Sequence, residues 1–243
     1  MVRWLRTCLG RPSEVWRDSV DFWARVTETT AAPPDADEVL LEPDTGDAWL
    51  GLTRRATAPP TRVDLVADDA EAMVAKAYEL GVTAIYDDNE RFTGRSPGGL
   101  MFRVENGDRA FTEPAIVKHA NGSTSSANQL CIDVGRDDWD SEVRFWENLT
   151  GWSARTTSFP EFSTLTPEDR STCLVLLQRL DEDRPTGAHV DFSTSDVAAV
   201  REVHLAAGAR GGEVFKHWTV MYDPSGAVYC LTAVDPATGE STG

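Results

Sequence analysis

The stretch HVDFSTSDVAAVREVHLAAG, residues 189–208, decides the fold because a second copy of it lies earlier in the chain. Residues 62–81, RVDLVADDAEAMVAKAYELG, align with it without a gap at an offset of 127 residues. Each copy begins as an alternating, strand-like run and continues as a helical pattern that ends at a glycine, with Ser195 or Asp196 as the expected N-cap of the second helix. The matched positions are Val63/Val190, Asp64/Asp191, Asp69/Asp196 and Gly81/Gly208.

A β-hairpin is predicted just after this copy, in HWTVMYDPSGAVYCL, residues 217–231. Apolar residues alternate on either side of Asp223-Pro224-Ser225-Gly226, where proline presets φ and glycine tolerates the positive φ of a tight turn. The same offset of 127 residues places this hairpin over RSPGGLMFRVE, residues 95–105. The duplication therefore includes the hairpin.

Upstream segments match as well, at an offset of 123 residues. TCLGRPSEVWRDSVDFW, residues 7–23, lies over LCIDVGRDDWDSEVRFW, residues 130–146. In the second of these, Trp139, Val143, Trp146 and Leu149 share one face of an amphipathic helix that should end near Gly151. Each half of the chain thus contains two copies of a strand, a helix and two or three further strands. Four such units predict an α+β protein built by duplication.

The length of 243 residues suits one large domain or two ordinary ones, and 41% hydrophobic with 26% charged residues is typical of a globular protein. KHANGSTSSANQ, residues 118–129, is polar and rich in small residues, which favours a linker. We therefore predict a first domain over residues 1–117, a linker over 118–129 and a second domain over 130–236.

The net charge of −17 and the pI near 4.5 argue against binding of nucleic acid or of an anionic membrane surface. The charge suits either a neutral or cationic ligand or simply a well-solvated surface. No apolar run approaches the ~20 residues of a membrane span, and the N-terminus lacks a secretory pattern. Four widely separated cysteines then predict reduced thiols and a cytoplasmic protein.

Three segments of the second half carry a family resemblance. They are FWENLTGW (145–152), LLQRL with HVDFSTSD (176–180 and 189–196), and the hairpin. Together they resemble the vicinal oxygen chelate superfamily, the glyoxalase and bleomycin-resistance fold, and in particular the glyoxalase-like proteins common in actinobacteria. In the first half the resemblance rests on VDFWARVTE, RVDLVADD and SPGGLMFRVE. It implies two tandem domains, each a pair of βαβββ units that form an open cup-shaped sheet with the ligand in the cup.

In metal-dependent members of that superfamily, His and Glu ligands lie on the first and last strands of the units. Carried over by the resemblance, the positions in the second half are Cys131, His189, Gln178 and Cys230, and those in the first half are Cys8, Arg62, Arg103 and, roughly, Thr53. Guanidinium groups cannot ligate a cation, so we predict no metal in the first half. Cys131, His189 and Cys230 would suit zinc. Packing or cup-lining cysteines without a metal are the interpretation we adopt, with no cofactor.

The remaining candidates each have a structural alternative. His189 would act as a general acid or base, hydrogen-bond a ligand, or be structural, and Asp191 would pair with it. His217 and Trp218 would line the rim of the cup, or Trp218 would belong to the core. Arg62 and Arg103 would form an anion site if both faced the cup; we predict them at the surface. His204 is expected on a helix surface.

We therefore predict a metal-independent protein, monomeric or homodimeric, that binds a small organic molecule in the second cup, as in sequestration or antibiotic resistance. The residues assigned to binding are Cys131, Gln178, His189, Asp191, His217, Trp218 and Cys230, with Arg62 and Arg103 in the first half. One alternative is a lyase, isomerase or cyclase that acts on a natural-product-like substrate with His189 as acid or base. Others are a zinc enzyme that uses Cys131, His189 and Cys230, and a scaffold protein.

Overall fold

A computed structural model describes residues 1–33, 36–55, 61–87, 91–167 and 173–242. Eight strands and two α-helices lie in the described residues of the first part of the chain. They are β1 (Val2–Pro12), α1 (Trp16–Thr27), β2 (Thr29–Ala32), β3 (Glu38–Pro43), β4 (Leu50–Arg55), β5 (Arg62–Ala67), α2 (Ala70–Glu79), β6 (Ala84–Asp87), β7 (Phe92–Arg95) and β8 (Met101–Asn106).

The second part repeats this order after one short extra strand. Its elements are β9 (Val117–Lys118), β10 (Thr124–Val134), α3 (Trp139–Thr150), β11 (Ser153–Thr156), β12 (Phe162–Thr166), β13 (Leu174–Arg179), β14 (Gly187–Thr194), α4 (Val197–Ala206), β15 (Arg210–Val214), β16 (Trp218–Tyr222) and β17 (Val228–Thr232).

The strands form two sheets with the same internal order. The first runs β2-β3-β4-β1-β5-β8-β7-β6 and the second β11-β12-β13-β10-β14-β17-β16-β15, with β9 paired to β10. The two halves pair the same elements in parallel, β5 with β8 and β14 with β17. The predicted α+β fold, two tandem domains each built from a pair of βαβββ units, is confirmed.

The predicted caps and turns follow from local chemistry. The side chain of Asp196 accepts a hydrogen bond from the backbone N–H of Ala199 at the start of α4, as an N-cap does. Gly151 ends α3 with a φ of 75°, and Gly226 closes the hairpin turn with a φ of 83°. These positive values suit glycine, which lacks a Cβ atom.

The segment predicted as a linker is partly sheet. Residues 118–129 contain the end of β9 and the first half of β10, and Thr124 and Ser125 pair with Lys118 and Val117. This part of β10 is held by backbone pairing, which polar side chains do not prevent. The domain limits 1–117 and 130–236 stay a prediction.

The chain divides into two compact units, and each combines parts of both halves. Unit 1 contains the described residues of 1–8, 60–111 and 130–188, and unit 2 those of 9–59, 112–129 and 189–243. The strands β1 and β10 each continue from one unit into the other. Unit 1 therefore includes α2 and α3, and unit 2 includes α1 and α4.

The core of unit 1 is centred on β8 and α3. Phe102 is fully buried, and its ring centroid lies 5.6 Å from that of Phe145 and 5.8 Å from that of Trp146. Leu149 is also buried, whereas Trp139 is only half-buried. The predicted helix face is thus confirmed at its C-terminal end, where the buried apolar residues are Phe145, Trp146 and Leu149.

The core of unit 2 repeats this packing with β17 and α1. Tyr229 lies 5.9 Å from Phe22 and 5.4 Å from Trp23 between ring centroids. His204 of α4 joins the same cluster, with its Nδ1 atom 3.0 Å from the Tyr229 hydroxyl and no exposed surface. Its predicted place on the helix surface is wrong, because a polar aromatic ring can enter a core when a hydroxyl partner is there.

Candidate functional site

Residues along β14 alternate between the face of the sheet that is covered by α4 and the opposite face. Val190 and Phe192 are buried, and Phe192 packs against His204 of α4 with ring centroids 5.0 Å apart. His189 and Asp191 lie on the opposite face, because successive side chains of a strand point to opposite sides. Cys230 pairs with Asp191 in the parallel ladder and shares that face.

These three side chains form a polar cluster within unit 2. The Nε2 atom of His189 lies 3.2 Å from Asp191 Oδ1 and 3.6 Å from Cys230 Sγ. The other oxygen, Asp191 Oδ2, accepts a hydrogen bond from the side-chain amide of Gln129. The exposed fractions are 3% for Asp191 and 7% for Cys230, so the cluster lies largely out of water.

An apolar strip on β16 adjoins the cluster on the same face. Val220 pairs directly with Cys230, which places Trp218, Val220 and Tyr222 on the face that carries Cys230. All three are half-buried. Phe215 stacks on Trp218 with ring centroids 4.8 Å apart and an interplanar angle of 25°. The face therefore offers flat apolar area beside buried polar atoms, as ligand sites do.

Other aromatic and polar groups bound this strip. The Arg210 guanidinium lies 4.0 Å from the centre of the Tyr222 ring, a cation–π contact. His217 precedes β16, is half-buried, and accepts a hydrogen bond at its backbone carbonyl from Ala233. This backbone hydrogen bond fixes the position of the chain immediately before Trp218, which was predicted at the rim of the cup.

The equivalent face of the first half lies within unit 1 and is strongly charged. Arg62 donates two hydrogen bonds to Asp64, from Nε to Oδ1 at 2.5 Å and from Nη2 to Oδ2 at 3.0 Å. Arg103 Nη1 lies 4.0 Å from the same carboxylate and 3.5 Å from Glu105. Glu105 also pairs with Arg6. The predicted surface placement of Arg62 and Arg103 is wrong, since their side chains are only 6% and 13% exposed.

Cys131 and Gln178 belong to unit 1 and contact each other there. The Cys131 thiol lies 3.7 Å from Gln178 Oε1, and Cys131 is 1% exposed. None of the four cysteines forms a disulfide, and all four are buried. Of the predicted binding residues of the second half, unit 2 holds His189, Asp191, His217, Trp218 and Cys230.

The cluster in unit 2 also has the chemistry of a metal site. His189 brings an imidazole nitrogen within 3.2 Å of the Asp191 carboxylate and 3.6 Å of the Cys230 thiol, and these donor types suit a divalent cation such as Zn²⁺. Arg62 and Arg103 take the places of His189 and Cys230 in the first half, where guanidinium groups cannot ligate.

Three residues of this site escaped the sequence analysis. Gln129 falls in the segment predicted as a linker. Its repeat equivalent, at the offset of 123 residues, is Arg6, which pairs with Asp64 across β1 and β5. That equivalence could have indicated that Gln129 lies beside Asp191. Phe215 and Arg210 lie on or just beyond β15, and their approach to Trp218 and Tyr222 depends on how that edge strand pairs with β16. No pattern in the sequence specifies that pairing.

No helix in the described part of the chain combines the length and the apolar character needed to cross a bilayer.

Comparison with known proteins relates the chain to one family. A family model described as a glyoxalase-like domain matches residues 13–105 and 129–232, most of the chain. No curated protein sequence matches it. Both matched segments begin close to α1 or β10 and end within β8 or β17, so they follow the two halves of the duplication.

Solved structures share the fold at low sequence identity. One is 2,2′,3-trihydroxybiphenyl 1,2-dioxygenase from Sphingomonas wittichii, with 14% identity, coverage of 96% of this chain and 90% of that one, and a TM-score of 0.66. Another is the Mn(II)-bound glyoxalase from Novosphingobium aromaticivorans, with 14% identity, coverage of 98% and 85%, and a TM-score of 0.67. The chain belongs to the glyoxalase-like domain family, within the vicinal oxygen chelate superfamily.

Proposed function

We propose that this protein binds a small organic molecule on the sheet face of the second half that carries His189, Asp191 and Cys230, without a metal ion. The observation that carries the proposal is the apolar strip of Trp218, Val220 and Tyr222 directly beside the buried cluster of His189, Asp191 and Cys230. A planar or aliphatic body would lie on the strip, and a polar group would reach the cluster. Such a division of apolar area and a few polar atoms is what orients small ligands.

Metal independence is supported by the internal comparison. In unit 1 the same fold position is occupied by an arginine–carboxylate network, so the fold accommodates a buried carboxylate here with guanidinium partners. If a metal were bound in unit 2, His189, Asp191 and Cys230 would hold it, and it would supply Lewis-acid polarisation of a bound oxygen. Metal analysis of protein purified without chelators separates the two; a content above about 0.1 equivalent of tightly bound metal contradicts the metal-free proposal.

Binding is tested by variants of the strip and of the cluster. Ligands are first found by thermal shift across a library of small natural-product-like molecules, and affinities are then measured by calorimetry. Trp218→Ala should weaken binding about tenfold, since an aromatic contact contributes on the order of 1 kcal/mol or more. His189→Ala should weaken it similarly. Tyr86→Ala, an exposed aromatic change on β6, is the control and should have no effect.

If Trp218→Ala and His189→Ala both leave the affinity of every ligand unchanged, the site is assigned to the wrong face.

A second candidate function is acid–base catalysis by His189. It is favoured by the 3.2 Å approach of Asp191 Oδ1 to Nε2, because a carboxylate orients an imidazole and stabilises its protonated form. The hypothesis of a lyase, isomerase or cyclase requires that the protein turn over a ligand identified by the thermal-shift screen. Turnover that persists in His189→Ala would remove His189 from the mechanism.

A further inference from the structure

Asp64 and Asp191 occupy the same place in the two halves. They are related by the offset of 127 residues, and each is the third residue of its HVDF- or RVDL-type stretch. Each also pairs with the last strand of its half, Asp64 with Arg103 and Asp191 with Cys230. Both are buried, with exposed fractions of 4% and 3%. The fold therefore presents the same buried carboxylate twice.

The first of these carboxylates has fixed cationic partners. Arg62 binds both oxygens of Asp64 in a fork, and Arg103 approaches the same group. A paired guanidinium compensates the cost of taking a carboxylate out of water, and the bidentate geometry suits its planar shape. In unit 1 the protein thus supplies its own guanidinium ligand to the carboxylate.

The second carboxylate lacks these guanidinium groups. His189 and Cys230 stand where the first half has Arg62 and Arg103, and both are shorter. Asp191 Oδ2 accepts a hydrogen bond from the neutral side-chain amide of Gln129, while Oδ1 accepts no hydrogen bond within the described part of the chain. His189 Nε2 lies 3.2 Å from that oxygen. A buried carboxylate oxygen in this state is costly unless a cation or donor reaches it.

We propose that the ligand of the second half carries a guanidinium, amidinium or primary ammonium group, which binds Asp191 in the way that Arg62 binds Asp64. This inference rests on the proposed function and names its ligand class. The apolar body of the ligand then lies on Val220 and Trp218. Val220 is two strands from Asp191, about 10 Å away at ordinary strand spacing, so a cationic head and a short arylalkyl body span the face.

The test uses two probes that differ chiefly in charge, 2-phenylethylguanidine and N-(2-phenylethyl)urea, with 3-phenylpropanoate as the anion. Calorimetry at low salt should show the guanidine binding at least tenfold more tightly than the urea, and no binding of the anion. Asp191→Asn should abolish the preference for the guanidine. Asp140→Asn removes an exposed carboxylate of α3 and should leave the preference intact, which controls for attraction to the net charge of −17.

A second variant keeps the test informative if Asp191→Asn unfolds. His189→Arg rebuilds the first-half arrangement, so its guanidinium should occupy Asp191 and exclude the guanidine probe while the protein keeps or gains thermal stability. Guanidine binding that is undiminished in a folded His189→Arg protein overturns the inference.

The outcomes separate the inference from the function on which it rests. Equal affinities for guanidine and urea, both reduced by Trp218→Ala, would overturn the cationic head and leave the binding site in place. Binding that responds to neither Trp218→Ala nor Asp191→Asn would remove the site itself. Stoichiometric Zn²⁺ binding that depends on Asp191 and that the guanidine cannot displace would assign the carboxylate to a metal and overturn the inference.

Discussion

Each compact unit buries a tryptophan whose indole N–H donates to a carboxylate, but the carboxylate lies on a different element in each unit. In unit 2 the indole N–H of Trp23 donates to Asp223 of the hairpin turn at 2.9 Å. In unit 1 the equivalent Trp146 donates to Glu142, on its own helix, at 2.7 Å. Glu142 in turn accepts hydrogen bonds from the hairpin, from the Ser96 hydroxyl and the Gly98 N–H.

The positions are exchanged residue for residue. Ser96 is the repeat equivalent of Asp223, and Ser19 of α1 is the equivalent of Glu142. The requirement to satisfy a buried indole N–H and the N–H groups of a turn is therefore shared, whereas the element that supplies the acceptor is not. A buried N–H without an acceptor is costly wherever it lies, so a carboxylate on the hairpin or one on the helix can equally accept its hydrogen bond.

Asp223→Ser, which gives unit 2 the hairpin residue of unit 1, is expected to cause the largest loss of stability. Asp223 binds the buried Arg11 at 2.6 Å as well as Trp23 and the turn N–H groups of Ser225 and Ala227. Removing one partner of a buried ion pair costs about 3–5 kcal/mol of unfolding free energy. Urea denaturation measures it, with the exposed Asp44→Ser as a near-neutral control. A loss below about 1 kcal/mol would show that the pair is not structural.

Glu142→Gln is expected to cost less, about 1–3 kcal/mol. Glu142 accepts three hydrogen bonds and has no arginine partner in them, and burial raises the pKa of its carboxyl above the ordinary value of 4.5. A glutamine keeps the shape but turns one acceptor into a donor, which must then face another donor. Urea denaturation at pH 7 tests this, and an unchanged midpoint would contradict the assigned network.

The exchange itself is tested by Ser19→Glu in the Asp223→Ser background. Ser19 is fully buried, and its hydroxyl has no hydrogen-bond partner in the described structure. The new glutamate lies four residues before Trp23, as Glu142 lies before Trp146, so it should recover about 1–2 kcal/mol of the lost stability. A further loss on adding Ser19→Glu would show that the two units are not interchangeable at this point.

His204 supplies the smallest test. Its repeat equivalent is the buried Ala77, and Tyr229 corresponds to Phe102, so unit 2 has a polar pair where unit 1 is apolar. Burial, and secondarily nearby His119, lowers the pKa of His204 from 6.5 to about 3. The folded state thus stays neutral while the unfolded state takes up a proton below pH 6.5, and stability falls as the pH falls through that window.

Between pH 7.5 and 5.5, His204 should account for about 1.4 kcal/mol of lost stability. His204→Gln does not titrate and should lose that much less stability over the same interval. Because the difference between the two proteins is compared, titration of His119 cancels. Equal losses in both would mean that His204 is protonated in the folded state.

Local patterns were enough to predict much of the fold and part of the site. The hairpin around Asp223 and the cap at Asp196 depend on residues within one or two turns of each other, and both predictions are confirmed, whereas the predicted face of α3 is confirmed only at its C-terminal end. The period of two along β14 also placed His189 and Asp191 on one face. The observed positions of Gln129 and His204 were not predicted, because a polar residue of a strand or helix can face either solvent or a buried partner. Whether it is buried depends on a residue distant in the chain, here Asp191 and Tyr229.

The sequence by itself determined the duplication, the order of the elements and the alternation that brings His189, Asp191 and Cys230 to one face. These follow from short-range periodicity and from residues whose backbone preferences are intrinsic. Only the tertiary structure decided that each compact unit combines parts of both halves and that Asp64 is bound by Arg62 whereas Asp191 faces His189 and Gln129. It also decided that Trp23 and Trp146 donate to carboxylates on different elements. The reason is that burial and pairing energies depend on neighbours distant in the chain, which no local pattern encodes.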